Sequence, residues 1–326
     1  MKSRSLGKTG IKVSEIGFGG WALGGGDWGA QSDADSLQAL ERAAEMGVTF
    51  IDTAQGYGDG RSEKVIARFL KGRSKKAFVA TKASPAAGDW PPSPYDSAGL
   101  SYPARYLREN VEERLRNLDV DCLDLLQLHT WTRAWNRNPE PLETLRKLKQ
   151  EGKIRCVGVS TPEQDQNCVI DLMRGGLIDA VQIIYNLFDQ EPAAELLPVA
   201  AECGVGIIVR VVFDEGALTG KFTRETRFPE GDFRGEYFRG QRLGRVVERT
   251  ERIKADLSGS GYSLPQAALK FALSHPAVST VIPGMRNTAQ AEANIAVADL
   301  PEIPPALMEK LRLHNWRRSI WYPGNW

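Results

Sequence analysis

Three apolar runs in this chain end on an ionisable side chain. They are Val48-Thr49-Phe50-Ile51-Asp52, Phe78-Val79-Ala80-Thr81-Lys82 and Leu123-Asp124-Leu125-Leu126-Gln127-Leu128-His129; just past the first lies Ala54-Gln55-Gly56-Tyr57-Gly58. A buried strand that runs into a charge loses stability unless that charge is paired or used. Each residue alone has an ordinary role, as a turn cap, a packing ring or a surface amine. If the runs are neighbouring parallel strands, one rim gathers an acid, a phenol, an ammonium and an imidazole. A phenol with a pKa of about 10 is a poor proton donor near neutrality. A buried ammonium beside it is expected to lower that value, and Asp52 is the counter-charge that lets Lys82 stay ionised in a dry site. His129 offers an N–H to orient a carbonyl oxygen. No nucleophile is paired with a base, and the three histidines are too scattered for a metal site. The chemistry expected is proton donation to an oxygen whose carbon receives a hydride.

Positioning these groups requires a repeated unit, and one recurs from residue 32 onward: amphipathic helix, glycine stop, apolar strand. Leu37, Leu40, Ala44 and Val48 mark one helical stripe, with Ser32 or Asp33 as its N-cap. Val65, Ile66, Phe69 and Leu70 mark another, with Ser62 as its cap, and Leu107, Val111, Leu115 and Leu118 a third. Strands are expected at 15–20, 49–52, 77–82, 123–129, 155–160, 180–186, 206–211 and 280–283. Eight strands alternating with helices give an α/β chain of the (β/α)8 TIM barrel class. An N-terminal β-hairpin around Thr9-Gly10 precedes it, and the whole chain, 1–326, reads as one domain. Long loops at 84–101, 131–141 and 213–262 interrupt the repeat on the C-terminal rim, where barrels build their sites. The tail, 314–326, is dense in aromatics and is expected to fold back over the barrel.

The bulk numbers suit a globular protein with room for a sizeable core. With 42% hydrophobic and 25% charged residues and a net charge of +1, the chain has no basic stripe for nucleic acid and no apolar run of membrane-spanning length. Cys122, Cys156, Cys168 and Cys203 lack metal or redox spacing, which favours core packing in a reducing, cytoplasmic setting. One motif is a decoy. Gly24-Gly25-Gly26-Asp27-Trp28-Gly29 fits G-x-G-x-x-G, but the helix starts at Ser32 or later, so these glycines cannot offer phosphate its N-terminal amides.

The set Phe50-Ile51-Asp52-Thr53-Ala54…Tyr57-Gly58, Thr81-Lys82 and Leu128-His129 resembles the tetrad of the aldo-keto reductases. The likeness extends over nearly the whole chain, through Leu6-Gly7-Lys8-Thr9-Gly10, Gly158-Val159-Ser160, Gly216-Ala217-Leu218-Thr219-Gly220-Lys221 and Val281-Ile282-Pro283-Gly284. That resemblance implies NADP(H) bound in extended form across the rim, with Tyr57 as general acid–base and Asp52, Lys82 and His129 around it. It implies that Ser160 and Gln182 hold the carboxamide, with Tyr185 near the nicotinamide. The segment Phe213 to Lys221, with Gly216, Leu218 and Gly220, would follow the pyrophosphate. Arg286, Gln290 and Asn294 would hold the adenosine end, Arg286 on the 2′-phosphate, with Pro283 and Gly284 also among the cofactor-binding residues. Thr161 and Val211-Val212 depart from the family's usual residues, and Arg210 could reach cofactor or substrate or form a rim salt bridge. Trp21 and Trp131 are expected to wall a pocket for a small carbonyl or alcohol, with Trp28, Trp90 and Trp135 on the same rim. A nicotinamide-binding regulatory subunit with slow turnover is the alternative. A glycoside-active barrel would need two rim carboxylates where this chain has Lys and His.

Overall fold

Residues 1–73 and 77–318 are described here from a computed structural model. Strands β1 (Ser3–Ser5) and β2 (Lys12–Ser14) pair antiparallel as the expected hairpin. The eight strands that follow are β3 (Phe18–Gly19), β4 (Phe50–Asp52), β5 (Phe78–Ala83), β6 (Leu123–Leu128), β7 (Ile154–Ser160), β8 (Ala180–Ile184), β9 (Gly206–Arg210) and β10 (Val278–Val281). Each lies beside its predecessor and every pair is parallel. Parallel bridges Ile16↔Val281 and Gly19↔Gly284 join the first strand to the last, with the Gly17 amide donating to Val281 O at 2.8 Å and Gly19 to Pro283 O at 3.0 Å. The sheet is therefore closed, a (β/α)8 barrel.

Strand alternation divides the interior into two layers. Phe50, Phe78, Ala80, Leu125, Cys156, Ala180 and Ile208 form an inner cluster with Leu6, Ile11 and Val13 of the hairpin, which plugs one end of the barrel. Alternate positions on the same strands, such as Ile51, Val79, Leu126, Val157 and Ile183, join the larger cluster that packs against the helices. Following each inner row toward its C-terminal end takes the side chains from apolar to polar: Phe50 to Asp52, Ala80 to Lys82, Leu125 to Gln127, Ala180 to Gln182, Ile208 to Arg210. The polar ends meet at the end opposite the hairpin.

Some of these expectations hold and others needed correction. The first helix, Asp33–Glu45, has Ser32 as its cap, accepting the Asp35 amide at 3.0 Å. The second, Arg61–Leu70, is capped by Gly60, because Ser62 is buried and holds Gly20 O at 2.9 Å and Thr53 Oγ1 at 2.8 Å. The long segment after β9 is no loop throughout: it contains the helices Phe233–Tyr237 and Arg242–Asp256. The second of these was hidden because only Val246, Thr250 and Ile253 of its face are buried among arginines. In the tail, Trp316 is buried, donates its amide to Phe188 O at 2.7 Å and packs edge-on to that ring; Trp321 and Trp326 lie outside the described residues.

Candidate active site

Strands β4 and β5 run in register, with Asp52 opposite Ala80, so the inner-row positions Asp52 and Lys82 lie one step apart on adjacent strands. The Lys82 ammonium has three donors, and all three are taken. It bonds Asp52 Oδ2 at 2.6 Å, Thr53 O at 2.8 Å and the Tyr57 hydroxyl at 3.2 Å. Lys82 is 0% and Asp52 2% exposed. Burial works against the charge on Lys82, but Asp52 and Tyr57 outweigh it and hold the pKa above its ordinary value. The other oxygen of Asp52 accepts Gln182 Nε2 at 2.7 Å and Gln127 Nε2 at 3.4 Å.

Tyr57 behaves differently from the sequence-based expectation. Burial pushes its pKa above the ordinary phenol value; the Lys82 charge pulls it down and Asp52 pushes it up again. The cation's pull is real but smaller than the desolvation of a phenolate, so the group rests as a neutral phenol. His129 continues the pairing of β6 with β5 through its amide, which donates to Ala83 O at 2.9 Å. Its ring lies edge-on to Tyr57 at 6.0 Å. Burial, then the charges of Lys82 and Arg210, push its pKa well below the ordinary value. The imidazole is neutral, and its Nδ1 is buried without a partner.

Two networks that the sequence did not reveal hold this set. Gln55 Oε1 accepts from the Ser84 amide, Tyr106 Oη and Asn110 Nδ2, tying the Tyr57 turn to the end of β5. On the outer side of β5, Thr81 Oγ1 donates to Glu63 Oε1 at 2.6 Å, and Glu63 Oε2 accepts Arg114 Nε at 2.7 Å and Asn117 Nδ2 at 2.9 Å. The glycine-rich decoy has a mechanical role. A Cβ on Gly24 would lie 2.7 Å from the Gly58 amide nitrogen and from the Tyr57 carbonyl carbon, so that close approach seats the Tyr57 turn.

Of the two expected wall tryptophans, the structure brings one to the tetrad. Trp21 stacks on Tyr57 at 5.9 Å and donates Nε1 to Asp27 Oδ2 at 2.8 Å. Trp131 is a correction: it is 0% exposed, packs edge-on to Trp135 and spends its Nε1 on Asn136. Trp90, from the loop after β5, stands in its place, half-open to solvent and edge-on to His129 at 5.1 Å.

A sequence profile described as the Aldo/keto reductase family matches residues 15–315. The chain belongs to the aldo/keto reductase family. Aldo-keto reductase YhdN of Bacillus subtilis is 32% identical over 301 residues, covering 90% of this chain and 87% of that one. The NADH-specific methylglyoxal reductase of Escherichia coli is 26% identical, over 92% of this chain and 94% of that one. The holo form of an aldo-keto reductase from Bacillus halodurans superposes with a TM-score of 0.75 at 25% identity, over 100% of both chains. Membership makes this an oxidoreductase of a family that uses nicotinamide cofactors.

The positions an aldo/keto reductase would turn toward such a cofactor are only partly arranged as expected. Ser160 and Gln182 are register partners on β7 and β8. Gln182 gives its amide nitrogen to Asp52, while its Oε1 is buried with no partner. Tyr185 is a correction: it sits on the outer face, packed on Phe271 and His275. Arg210 donates Nη2 to Thr161 O at 3.1 Å and makes no salt bridge among the described residues, and its Nε is buried without a partner. Beyond Phe213, the amides of Gly216, Ala217, Leu218, Thr219 and Gly220 are all bonded within their own turns. Leu218 is buried in the core, while Lys221 is exposed. Glu215, which the sequence did not single out, has its carboxyl pushed up to about 8 by burial, with Arg210 opposing the rise. Pro283 is spent on barrel closure and Gly284 is open. Gln290 Oε1 accepts the Arg286 amide, and Asn294 Nδ2 donates to Gly284 O. Arg286 itself donates to Gln31 Oε1 at 3.0 Å and Ala30 O at 2.6 Å.

Proposed function

We propose that the protein is an NADP(H)-dependent carbonyl reductase or alcohol dehydrogenase, with Tyr57 as its general acid and base. One observation carries this reading: the ammonium of Lys82, saturated by Asp52, Thr53 O and the Tyr57 hydroxyl, leaves Tyr57 as the one mobile proton of the group. When bound, NADPH supplies the hydride. The buried, unpartnered Gln182 Oε1 is the polar atom that fits a carboxamide N–H, with Ser160 beside it.

The roles of the chain's own residues follow from charge. Tyr57 is held protonated by burial, so the acid is loaded before the reaction. As negative charge grows on the substrate oxygen, the phenolic proton passes to it. The phenolate left behind lies 3.2 Å from a fixed cation, which offsets the cost of a buried anion. His129 is neutral and keeps one N–H to give to the substrate oxygen. In the oxidising direction the same phenolate accepts the proton of the alcohol. Trp21 and Trp90 offer faces to the rest of a small carbonyl or alcohol.

Replacing Tyr57 with Phe removes the proton and keeps the ring. Turnover of a carbonyl substrate, followed by NADPH oxidation, should fall by about 10²–10⁴, while NADPH affinity from fluorescence titration stays unchanged. Undiminished turnover would take Tyr57 out of its role. A regulatory subunit with slow residual activity would show the same weak rate before and after the change.

A further inference from the structure

Arg210 ends β9 two residues beyond Ile208 of the inner cluster, which places it on the inner row at the rim. The chain leaves the strand immediately after it. Val211 lies at φ 54°, with Asp214 at 45° and Glu215 at 53°. This is the left-handed region, which side chains, β-branched ones above all, enter only at a cost. Asn186 Nδ2 pins the turn by donating to Val211 O at 2.9 Å. The strained turn holds a guanidinium beside the reacting groups. Its charge reaches two of them: behind the larger effects of burial and Lys82, Arg210 acts to lower the pKa of both Tyr57 and His129.

Arg210 is partly buried, and its one hydrogen bond among the described residues goes to the neutral Thr161 O. Its Nε, fully buried, bonds nothing. Glu215 is the carboxyl close enough to feel it. Burial pushes that carboxyl up to about 8 against the pull of Arg210, so at pH 7 it rests largely as the neutral acid. The carboxylates next to Glu215 are no substitute. Asp214 accepts from Arg318 at 2.6 Å and from the Tyr237 hydroxyl at 3.0 Å, and Glu163 is exposed. A partly buried cation without a counter-ion is costly unless a ligand supplies one.

We propose that Arg210 receives the carboxylate of an oxo acid whose carbonyl oxygen lies against Tyr57 and His129. This rests on the reductase reading above and names its substrate class. A carboxylate suits the guanidinium fork, because Nε–H and a remaining Nη–H can give it two parallel hydrogen bonds. In reduction the carbonyl carbon takes the hydride of NADPH and the oxygen takes the Tyr57 proton. The phenolate recovers a proton from solvent. The products are a hydroxy acid and NADP+, with the carboxylate unchanged. An uncharged carbonyl of equal shape would leave Arg210 unpaired, and that is the source of the selectivity.

The first test needs no turnover. The full chain saturated with NADP+, which has no hydride to give, is titrated calorimetrically at pH 7 and fixed ionic strength. The probes are 2-oxopentanoate, 4-oxopentanoate and the methyl ester of each. At least one acid should bind about tenfold or more tighter than its ester. Arg210→Met should erase that preference by weakening the acid, and Arg210→Lys, which keeps the charge without the fork, should fall between. The proposal fails if neither acid outbinds its ester, or if Arg210→Met keeps the preference. It fails too if Arg210→Met weakens NADP+ as much as the acid, since the guanidinium would then serve the cofactor's own phosphates. Should Arg210→Met melt early, Arg210→Lys must still weaken the acid more than the ester. Steady-state reduction by NADPH keeps the two readings apart. Esters reduced as fast as acids would remove the acid site alone, whereas acids bound through Arg210 but never reduced would remove the reductase reading alone.

Discussion

Lys82 is the residue on which the site's stability and its proposed chemistry both rest. An ammonium with no exposure survives in the barrel because Asp52 lies 2.6 Å away. Removing one member of such a pair leaves an uncompensated buried charge, at a cost of roughly 3–5 kcal/mol, whereas removing both is far milder. Asp52→Asn should therefore lower the urea midpoint strongly, and Asp52→Asn with Lys82→Met should recover much of that loss. Turnover should be lost in both. A double variant no more stable than Asp52→Asn would show that the ammonium was not held by this carboxylate. The same scale shows how far side-chain chemistry was legible in the sequence. The pull of a cation on Tyr57 follows from residue types alone. The larger opposing effect, burial of the phenol, depends on what surrounds it, and no local pattern records that. Two tryptophans on loops, Trp131 and Trp90, likewise look alike in sequence; only the turn of each loop sends one into the core and the other toward His129.

Among elements, the strands were the most readable because alternation and rim position follow from a period of two. Phe50 to Asp52 and Leu125 to Gln127 to His129 could be placed on one face before any fold was known. The ties between elements were not readable, since Glu63 meets Thr81 and Arg114 across 18 and 51 residues of chain. The helix Arg242–Asp256 was missed because its polar face is far wider than its apolar one. The loop after β10 shows how one element can serve two purposes. Arg286 clasps the loop after β3 through Gln31 and Ala30, and it is the guanidinium proposed for the 2′-phosphate. A relative in this family is named as NADH-specific, so the distinction needs its own measurement. Arg286→Ala should weaken NADPH about 10–100-fold, as expected for a lost charged hydrogen bond, and NADH much less. Equal losses for both nucleotides would leave the arginine as a clasp alone.

At the scale of the whole molecule, the two ends of the barrel carry different burdens. The polar ends of the inner rows meet at one end, and the hairpin plugs the other with Leu6, Ile11 and Val13. Arg4 fastens that plug, donating to Leu273 O at 2.8 Å and Val278 O at 3.0 Å and pairing with the buried Glu15. A closed barrel has no free edge to fray, so damage to the plug should appear as lost stability rather than as a shifted active site. Leu6 is 0% exposed and packs so closely on β9 that a Cβ on Gly206 would lie 2.5 Å from its Cδ1. Leu6→Ala should then cost about 2–5 kcal/mol, because so tight a wall collapses poorly into the space left. Urea unfolding should show a lower midpoint with an unchanged slope, while kcat and KM, measured well below the transition, stay near those of the parent. If turnover falls while stability holds, the plug reaches the rim, and the separation of the two ends is wrong.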